Sequence, residues 1–300
     1  MTLIALFGPT GVGKTAVALA LADRLRARGE DPLAISADAL QVYRGLEVLT
    51  GAVDPAERAR LEHRLLSFVP IAETFSAGAF AELARAEIDT ALAAGRSPIG
   101  VGGTGLYHHA ALTDLEQRPP PPAQVRERLR ASLEARGSEE LHGDLAARAA
   151  HTAAAIEPGD RARVLRALEL LEMGLDPAPA GEESELWTAR LRHPTLLCGL
   201  VMEREALYAR IGERVEAMRA AGAVAEVRRA HAAGASGTAR AALGFEELLS
   251  GDVEAMKRRT RNYAKRQLTW LRRLPGVHAI DLTGGDAEGA AAEIERLARG

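Results

Sequence analysis

The segment Gly8–Thr15 restricts the possible folds of this chain more than any other stretch. It reads GPTGVGKT, which matches the pattern G-x-x-x-x-G-K-[ST], and it lies between the apolar run Leu3–Phe7 and a helical pattern over Thr15–Arg28. The glycines let successive backbone N–H groups turn toward one anion, and the following helix directs its positive N-terminal end at the same point. The sequence therefore predicts a strand, a phosphate-binding loop and a helix, in that order.

Each residue of this loop has an expected part in holding a diphosphate group. Lys14 supplies a mobile positive charge, and the hydroxyl of Thr15 is a predicted ligand of Mg²⁺. The predicted phosphate-binding residues are Gly8, Pro9, Thr10, Gly11, Val12, Gly13, Lys14 and Thr15. A chance glycine-rich turn is the alternative, and the position of the motif between a strand and a helix argues against it.

Strand and helix patterns alternate through the first hundred residues. Pro32–Ser36 and Ser97–Val101 are predicted strands, and Ser76–Ala94 is a predicted amphipathic helix. Such alternation favours a parallel sheet with helices on both faces. We therefore predict an α/β fold whose core is a P-loop NTPase-like parallel sheet.

The pattern changes after residue 113. The proline run Arg118–Pro122 predicts an extended break. Helical patterns alone follow it, at Ala123–Arg136, Ser138–Ala149 and Asp160–Met173, the last with Asp160 as a predicted N-cap. Gly174–Glu183, rich in proline and glycine, is a predicted loop. Strand and helix patterns then resume, at Leu196–Val201, Glu203–Ala221, Ala223–Ala233, Asp252–Leu274 and Val277–Leu282, with a terminal helix after them. We predict a catalytic core made of residues 1–113 and 194–300, interrupted by an α-helical insertion at residues 114–193.

Two strand ends carry candidate site residues. Asp38 follows the second predicted strand, and ligands of open α/β sheets bind at the carboxyl ends of strands. A carboxylate beside a bound diphosphate is repelled unless a metal or a substrate proton justifies it, so we predict a general base or an outer metal ligand. The alternative is an N-cap for a helix over Ala39–Tyr43. The third strand ends in Gly102–Thr104, without the acid that an ATP-hydrolysing motor carries there.

The charge and composition of the chain restrict the classes of partner that it can bind. The net charge is −3, so a nucleic-acid partner requires a local basic cluster. Eight cations and no acids lie within Lys257–Arg273. A helix without acids gains no internal ion pairs, which favours a polyanion partner over a merely solvated face. The single cysteine, Cys198, excludes a disulfide framework, and its place in the apolar run Thr195–Val201 predicts a buried strand residue. No apolar stretch reaches the ~18 residues of a membrane span. We expect a soluble protein of the reducing cytosol.

A series of segments resembles the bacterial tRNA dimethylallyltransferases, in the order of that family. Beyond the phosphate loop, the specific ones are Ile35–Gly45, Val101–Tyr107 and Thr260–Trp270. Further matches lie at His63–Leu66, Phe75–Phe80, Arg163–Glu169, Arg210–Val215 and Leu243–Glu247. Together these segments span nearly the whole chain.

The resemblance implies a reaction and a fold. The family transfers a dimethylallyl group from dimethylallyl diphosphate to N6 of the adenine adjacent to the anticodon (position 37), in tRNAs reading codons that begin with U. The products are N6-(dimethylallyl)adenosine and diphosphate, and Mg²⁺ is the cofactor. A nucleotide-kinase-like core with a helical insertion, acting as a monomer in the cytoplasm without a membrane, is the expected form.

The resemblance also implies roles for individual residues. The implied catalytic residues are Asp38, Thr104 and Arg214. The implied tRNA-binding residues are Asp38, Ala39, Leu40, Gln41, Arg126, Ala162, Arg163, Val164, Leu165, Arg166, Ala241, Ala242, Leu243, Gly244, Phe245 and Glu246. Tyr263–Gln267 is implied as a weaker tRNA contact.

Two segments depart from the usual family pattern. Family members usually carry Gly-Thr-Ala-Lys-Pro where this chain reads Thr50-Gly51-Ala52-Val53-Asp54-Pro55, so that lysine is absent. The segment usually written Ala-Ile-Gly-Tyr-Lys-Glu is here Ala242–Glu247, with a glutamate at 246.

Three other functions share part of this pattern. A small-molecule P-loop kinase would explain the loop and the insertion, although it predicts neither the acid-free basic helix nor the Gly102–Thr104 strand end. Prenylation of free AMP would use the same chemistry, and the basic residues at Arg163–Arg166 and Lys257–Arg273 favour tRNA instead. A non-catalytic RNA-binding protein would not need Asp38, Thr104 and Arg214.

Overall fold

The computed structural model describes residues 2–114, 118–177 and 190–299 of the chain. The chain divides into two compact units. The first consists of Met1–Leu115 and Leu186–Gly300, and the second is Glu116–Glu185. The first unit contains a β-sheet with helices, whereas the described part of the second is helical.

A six-stranded sheet forms the centre of the first unit. Its strands are β1 Leu3–Phe7, β2 Pro32–Ser36, β3 His63–Arg64, β4 Ser97–Gly102, β5 Thr195–Val201 and β6 His278–Asp281. Their spatial order is β3-β2-β4-β1-β5-β6, and every pair is parallel. The predicted α/β fold with a parallel sheet is confirmed.

Helices cover both faces of this sheet. Those of the first unit are α1 Lys14–Ala27, α2 Glu47–Thr50, α3 Pro55–Arg60, α4 Ala77–Ala93, α5 Gly105–Leu112, α10 Arg204–Ala220, α11 Ala223–Ala232, α12 Gly237–Arg240, α13 Phe245–Ser250, α14 Val253–Leu271 and α15 Ala287–Arg299. Along β1, Leu3 and Ala5 join the core on one face while Ile4 and Leu6 join the core on the other. Burial on both faces explains why the strands read as continuous apolar runs.

The described part of the second unit packs four helices around a leucine-rich core. They are α6 Ala123–Arg136, α7 Ser138–Arg148, α8 Ala150–Ala154 and α9 Arg161–Glu172. Leu129 and Leu133 of α6 meet Leu145 of α7 and Leu168 of α9 in that core. The side chain of Asp160 accepts a hydrogen bond from the Arg163 amide at 3.1 Å, so it caps α9 as predicted.

The regular elements lie close to their predicted bounds, and the short ones were missed. Helices α2 and α3 and strand β3, which has only two residues, had no periodic signal that sequence reasoning could use. The alternative helix over Ala39–Tyr43 was wrong, because these residues form turns and a single bridge to Val69. The predicted loop at Gly174–Glu183 lies partly outside the described residues, since residues 178–189 are not described.

Candidate active site

The strand order brings three predicted site segments to one edge of the sheet. Asp38 follows β2, Gly103 and Thr104 follow β4, and the phosphate loop follows β1, and these three strands are neighbours. Their carboxyl ends open onto a cavity of about 380 Å³. Among the predicted site residues, those lining it are Thr10, Gly11, Gly13, Lys14, Thr15, Asp38, Leu40, Gln41, Arg214 and Leu243.

The phosphate loop has the backbone that its glycines allow. Gly11 and Gly13 have φ angles of 84° and 107°, in the left-handed region that favours glycine. Gly13 is also the N-cap of α1, so that helix begins directly at the cavity. A Cβ at Gly8 would lie 2.8 Å from the carbonyl oxygen of Leu200, which fixes glycine there as well. The loop therefore offers amides and a helix N-terminus to an anion.

Lys14 is held by backbone carbonyls. Its Nζ donates to the carbonyl oxygens of Gly8 at 2.9 Å and Pro9 at 3.0 Å. Burial lowers the pKa of Lys14 to about 8, the charge of Asp38 opposes that shift, and Arg214 adds to it. An anion in the cavity would restore the positive form of this lysine, since opposite charge favours protonation.

Asp38 lies in a tight turn at the end of β2. Its Oδ1 accepts a hydrogen bond from the Leu40 amide at 3.0 Å. Thr104 does not line the cavity, and its Oγ1 accepts from the amide of Ala39 at 3.1 Å. Thr104 thus fixes the turn that carries the carboxylate. Tyr263 lines the cavity and hydrogen-bonds with Thr104, and burial foremost raises the pKa of its hydroxyl to about 12.

Arg214 reaches the cavity from α10. Its Nη2 donates to the carbonyl oxygens of Thr50 at 3.3 Å and Gly51 at 3.5 Å. Its Nε is buried and has no hydrogen-bond partner among the described residues. Burial lowers the pKa of Arg214, and Asp38 and Glu57 oppose that shift. A guanidinium with an unsatisfied N–H group is suited to donate a hydrogen bond to a phosphate oxygen.

Gln267 is a site residue whose role sequence reasoning missed. It was predicted only as a weaker tRNA contact, yet just 4% of its surface is exposed. Its Oε1 accepts from the Thr10 amide at 2.8 Å, and its Nε2 donates to the Gly103 carbonyl at 2.7 Å. It therefore ties the phosphate loop to the end of β4. The available signal was a polar residue on the inward stripe of α14, between Ala264 and Leu271.

The basic helix has more ion pairs than its own sequence suggests. Lys257 Nζ lies 2.7 Å from Glu216 of α10, and Arg259 Nη1 lies 2.9 Å from Glu247 of α13. The argument considered only internal pairs of the run Lys257–Arg273. It missed the pairs with acids outside that run, which come from Glu254 of the same helix and from neighbouring helices. Exposed cations remain further along α14, including Lys265 and Arg266.

The segment Ala241–Glu246 is largely a packing element. Ala242 and Phe245 are fully buried, while Leu243 lines the cavity. Glu246 accepts a hydrogen bond from Arg240 Nε at 2.8 Å, so the acid that replaces the family's usual lysine is paired within the chain.

The predicted tRNA-binding residues of the second unit lie on α6 and α9. Arg126 and Arg166 share one buried carboxylate, Glu169, at 3.2 and 3.1 Å. Arg163 is exposed, whereas Val164 is fully buried. The side chain of Val164 thus supports this face, and the arginines form it.

Several other polar groups have structural places. His108 is buried, and burial lowers its pKa to about 4, so it is neutral at pH 7. Cys198 is buried in β5, as predicted, and burial raises the pKa of its thiol to about 12. Among the described residues, no group of three or more His, Cys, Asp or Glu side chains could hold a metal ion. Nor does any helix in the described part combine the length and apolarity needed to cross a membrane.

Comparisons with known proteins agree with the geometry. The family model described as IPP transferase matches residues 41–274. The tRNA dimethylallyltransferase of Geobacillus kaustophilus (strain HTA426) is 40% identical over 303 residues, covering 97% of this chain and 93% of that protein. The protein of the same name from Kineococcus radiotolerans is 40% identical, covering 94% and 92%.

Solved structures are similar over comparable lengths. The full-length tRNA isopentenylpyrophosphate transferase from Bacillus halodurans is 31% identical with a TM-score of 0.66, covering 100% of this chain and 99% of that one. A eukaryotic dimethylallyltransferase acting on tRNA is 25% identical with a TM-score of 0.77, covering 94% of this chain and 74% of that one. A model match over most of the length and full-length relatives at 40% identity establish that the chain belongs to the IPP transferase family.

Proposed function

We propose that this chain is a tRNA dimethylallyltransferase that modifies N6 of the adenine adjacent to the anticodon. One observation carries the proposal. A single cavity combines a phosphate loop, two cations held by backbone carbonyls, and the carboxylate of Asp38. This set suits a substrate that has a diphosphate leaving group and a nucleophile with a proton to lose.

The phosphate loop and the two cations stabilise the leaving group. When the C–O bond of dimethylallyl diphosphate breaks, negative charge grows on the departing diphosphate. Lys14, Arg214 and the loop amides lie where that charge develops, which is the arrangement that lowers such a barrier. The dimethylallyl carbon then forms its new bond to N6 of adenine, and the electron pair of the broken bond leaves with the diphosphate.

Asp38 accepts the proton that N6 loses. The amine of adenine is a poor nucleophile because its lone pair is delocalised into the ring, so positioning beside a carboxylate assists attack. Thr104, through the amide of Ala39, fixes the turn that carries Asp38. The adenine enters the cavity after leaving the stack of the anticodon loop, as base-modifying enzymes require.

Mg²⁺ is the metal that suits this site. Thr15 lines the cavity and offers a hard hydroxyl oxygen. Mg²⁺ keeps several waters and binds mainly through substrate phosphates, so one hydroxyl ligand from the protein is compatible with it. When bound, the ion would add positive charge against the diphosphate oxygens.

We assign tRNA contacts to both predicted sets of residues. Asp38–Gln41 and Ala241–Glu246 would contact it from the first unit. From the second, Arg126 and Ala162–Arg166 would contribute, with Arg163 and its neighbours meeting backbone phosphates. We take the second unit as the predicted helical insertion, and we expect a monomer that acts in the cytoplasm.

The small-molecule kinase is not favoured. Relatives over the full length of the chain carry the transferase name, and β4 ends in glycines without an acid. Prenylation of free AMP would give the exposed Arg163 of α9 no nucleic-acid phosphate to meet.

Transfer of radiolabel tests the function directly. The purified protein is incubated with Mg²⁺, labelled dimethylallyl diphosphate and unmodified tRNA, beside AMP in place of tRNA and beside ATP hydrolysis as a control. We expect label in the anticodon-loop adenine and no appreciable hydrolysis of ATP. Phosphate transfer from ATP without label on RNA would instead support the kinase.

A further inference from the structure

Glu226 is a buried carboxylate outside the cavity lining. It belongs to α11, and only 6% of its surface is exposed. Its Oε1 accepts from the Val48 amide at 2.9 Å and its Oε2 accepts from the Leu49 amide at 2.7 Å. Both carboxylate oxygens therefore accept hydrogen bonds from the backbone of α2, which lies 177 or more residues away in the chain.

The other end of α2 holds the catalytic cation. Helix α2 is a single turn, and its C-terminal carbonyls, those of Thr50 and Gly51, accept hydrogen bonds from Arg214 Nη2. The same two carbonyls accept from Gln41 Nε2 at 3.3 and 3.2 Å. Gly51 has a φ of +58°, and a Cβ there would clash with Arg214 Nη2. The guanidinium thus lies directly against this turn.

A four-residue helix does not form on its own, because nucleation costs more than one turn of hydrogen bonds returns. Its geometry must come from the groups that bind its ends. Glu226 fixes the geometry of the N-terminal end, because it accepts hydrogen bonds from amides that lack partners inside the helix. The cost is a buried carboxylate, whose pKa is raised chiefly by burial.

We propose that Glu226 is a positioning residue of the diphosphate site, which acts through α2 to aim the guanidinium of Arg214 into the cavity. The inference rests on the proposed function, since it assumes that Arg214 meets a diphosphate. Glu226 itself touches no substrate. It fixes the two carbonyls that keep Arg214 from turning away from the cavity.

Binding of inorganic pyrophosphate with Mg²⁺, measured by calorimetry, tests the proposal without tRNA. Glu226→Gln keeps the size of the side chain, although its amide group can accept from only one of the two backbone N–H groups. We expect about tenfold weaker binding in this variant. In an Arg214→Ala background the same substitution should change affinity by less than about twofold, because coupled residues are not additive.

Two further variants separate positioning from general loss of structure. Gly51→Ala should weaken binding about as much as Glu226→Gln, because it displaces the same guanidinium directly, and it tests the proposal even if Glu226→Gln folds poorly. Ser76→Ala, which removes the N-cap of α4, should lower Tm and leave pyrophosphate affinity unchanged.

Three outcomes would overturn the inference. Wild-type affinity in Glu226→Gln would remove Glu226 from the site while leaving the proposed function intact. A full additional loss in the Arg214→Ala background would show that Glu226 acts by another route. Absence of pyrophosphate binding by the wild-type protein would overturn both this inference and the proposed diphosphate site.

Discussion

The cations of the cavity and those at the start of α14 are held in opposite ways. Lys14 and Arg214 donate to backbone carbonyls, which carry no net charge. Lys257, by contrast, lies 2.7 Å from Glu216 and 2.8 Å from Glu254. Both regions are rich in positive charge, yet among the described residues only in the second does a carboxylate lie within ion-pair distance of the cation.

This difference distinguishes cations that can bind a ligand from cations that stabilise the fold. A cation fixed by carbonyls keeps its positive field for a ligand, and burial strengthens that field because little water screens it. The field of a cation paired with carboxylates is cancelled by their negative charge. Such a pair holds one helix against another and does not attract a ligand. The number of lysines and arginines in a segment does not distinguish binding cations from structural ones. From that number, the whole of Lys257–Arg273 was predicted to face a polyanion.

Replacing Asp38 should have the largest effect on activity. It also tests the comparison, because Asp38 is the carboxylate whose charge acts on both cavity cations. If it serves the reaction and not the cations, Asp38→Ala should lower kcat by about 10⁴-fold, near the upper limit for general base catalysis. Binding of pyrophosphate should persist, as should binding of tRNA in a filter assay. Unchanged turnover would make Asp38 a counter-ion and nothing more.

Removing the charge of Lys14 should have the next largest effect. Lys14→Met should lower kcat/KM for dimethylallyl diphosphate by about 10³-fold, since it removes a donor from the growing charge of the leaving group. Steady-state kinetics with saturating tRNA measure this. A loss of less than tenfold would contradict the distinction drawn for carbonyl-held cations.

Arg214→Ala should cost about 10²-fold in kcat/KM, less than Lys14→Met because it leaves the phosphate loop and its lysine in place. Arg219→Ala on the same helix is the matched control, since Arg219 pairs with Glu216 and does not line the cavity. Equal losses in the two variants would mean that the general charge of α10 matters and not the contact of Arg214.

The pH dependence of pyrophosphate binding should report on Lys14. Its pKa of about 8 lies below the usual value of 10.5, so the free protein loses this charge as pH rises through about 8. Affinity should fall by about tenfold between pH 7 and pH 9. The reference is Lys14→Arg, whose guanidinium stays charged and which records only the titration of the ligand and of other groups. Identical pH profiles would contradict the assignment.

The smallest effect is expected on the structural side of the comparison. Lys257→Met should leave kcat and both KM values unchanged and lower Tm by less than about 2 °C, as ion pairs to solvent-exposed carboxylates contribute little. Differential scanning fluorimetry and the transfer assay check the two halves of this statement. A large rise in the KM for tRNA would place Lys257 among the binding cations after all.

Local sequence predicted much of the fold and the centre of the site. The apolar run of β1, the glycines of the phosphate loop and the periodicity of α1 act over a few residues, so their structure follows from nearby sequence. The position of Asp38 after a strand was sufficient to place it at the correct edge of a parallel sheet.

The short elements and the partners of the charges depended on distant contacts. Helix α2 has no periodic signal, and it is held by Glu226 from α11 and by packing across the first unit. Besides Glu254 at the start of α14, the acids that pair with Lys257 and Arg259 come from α10 and α13, so the acid-free run Lys257–Arg273 did not reveal these ion pairs.

The sequence by itself determined where a phosphate can bind, because a glycine-rich loop before a helix carries its geometry in its own residues. Only the tertiary structure decided which cations remain available to that phosphate. Gln267 joins the loop to β4 across 257 residues, and Arg214 finds its carbonyls 163 and 164 residues away. Contacts at such separations depend on how helices and strands pack, and no local pattern records them.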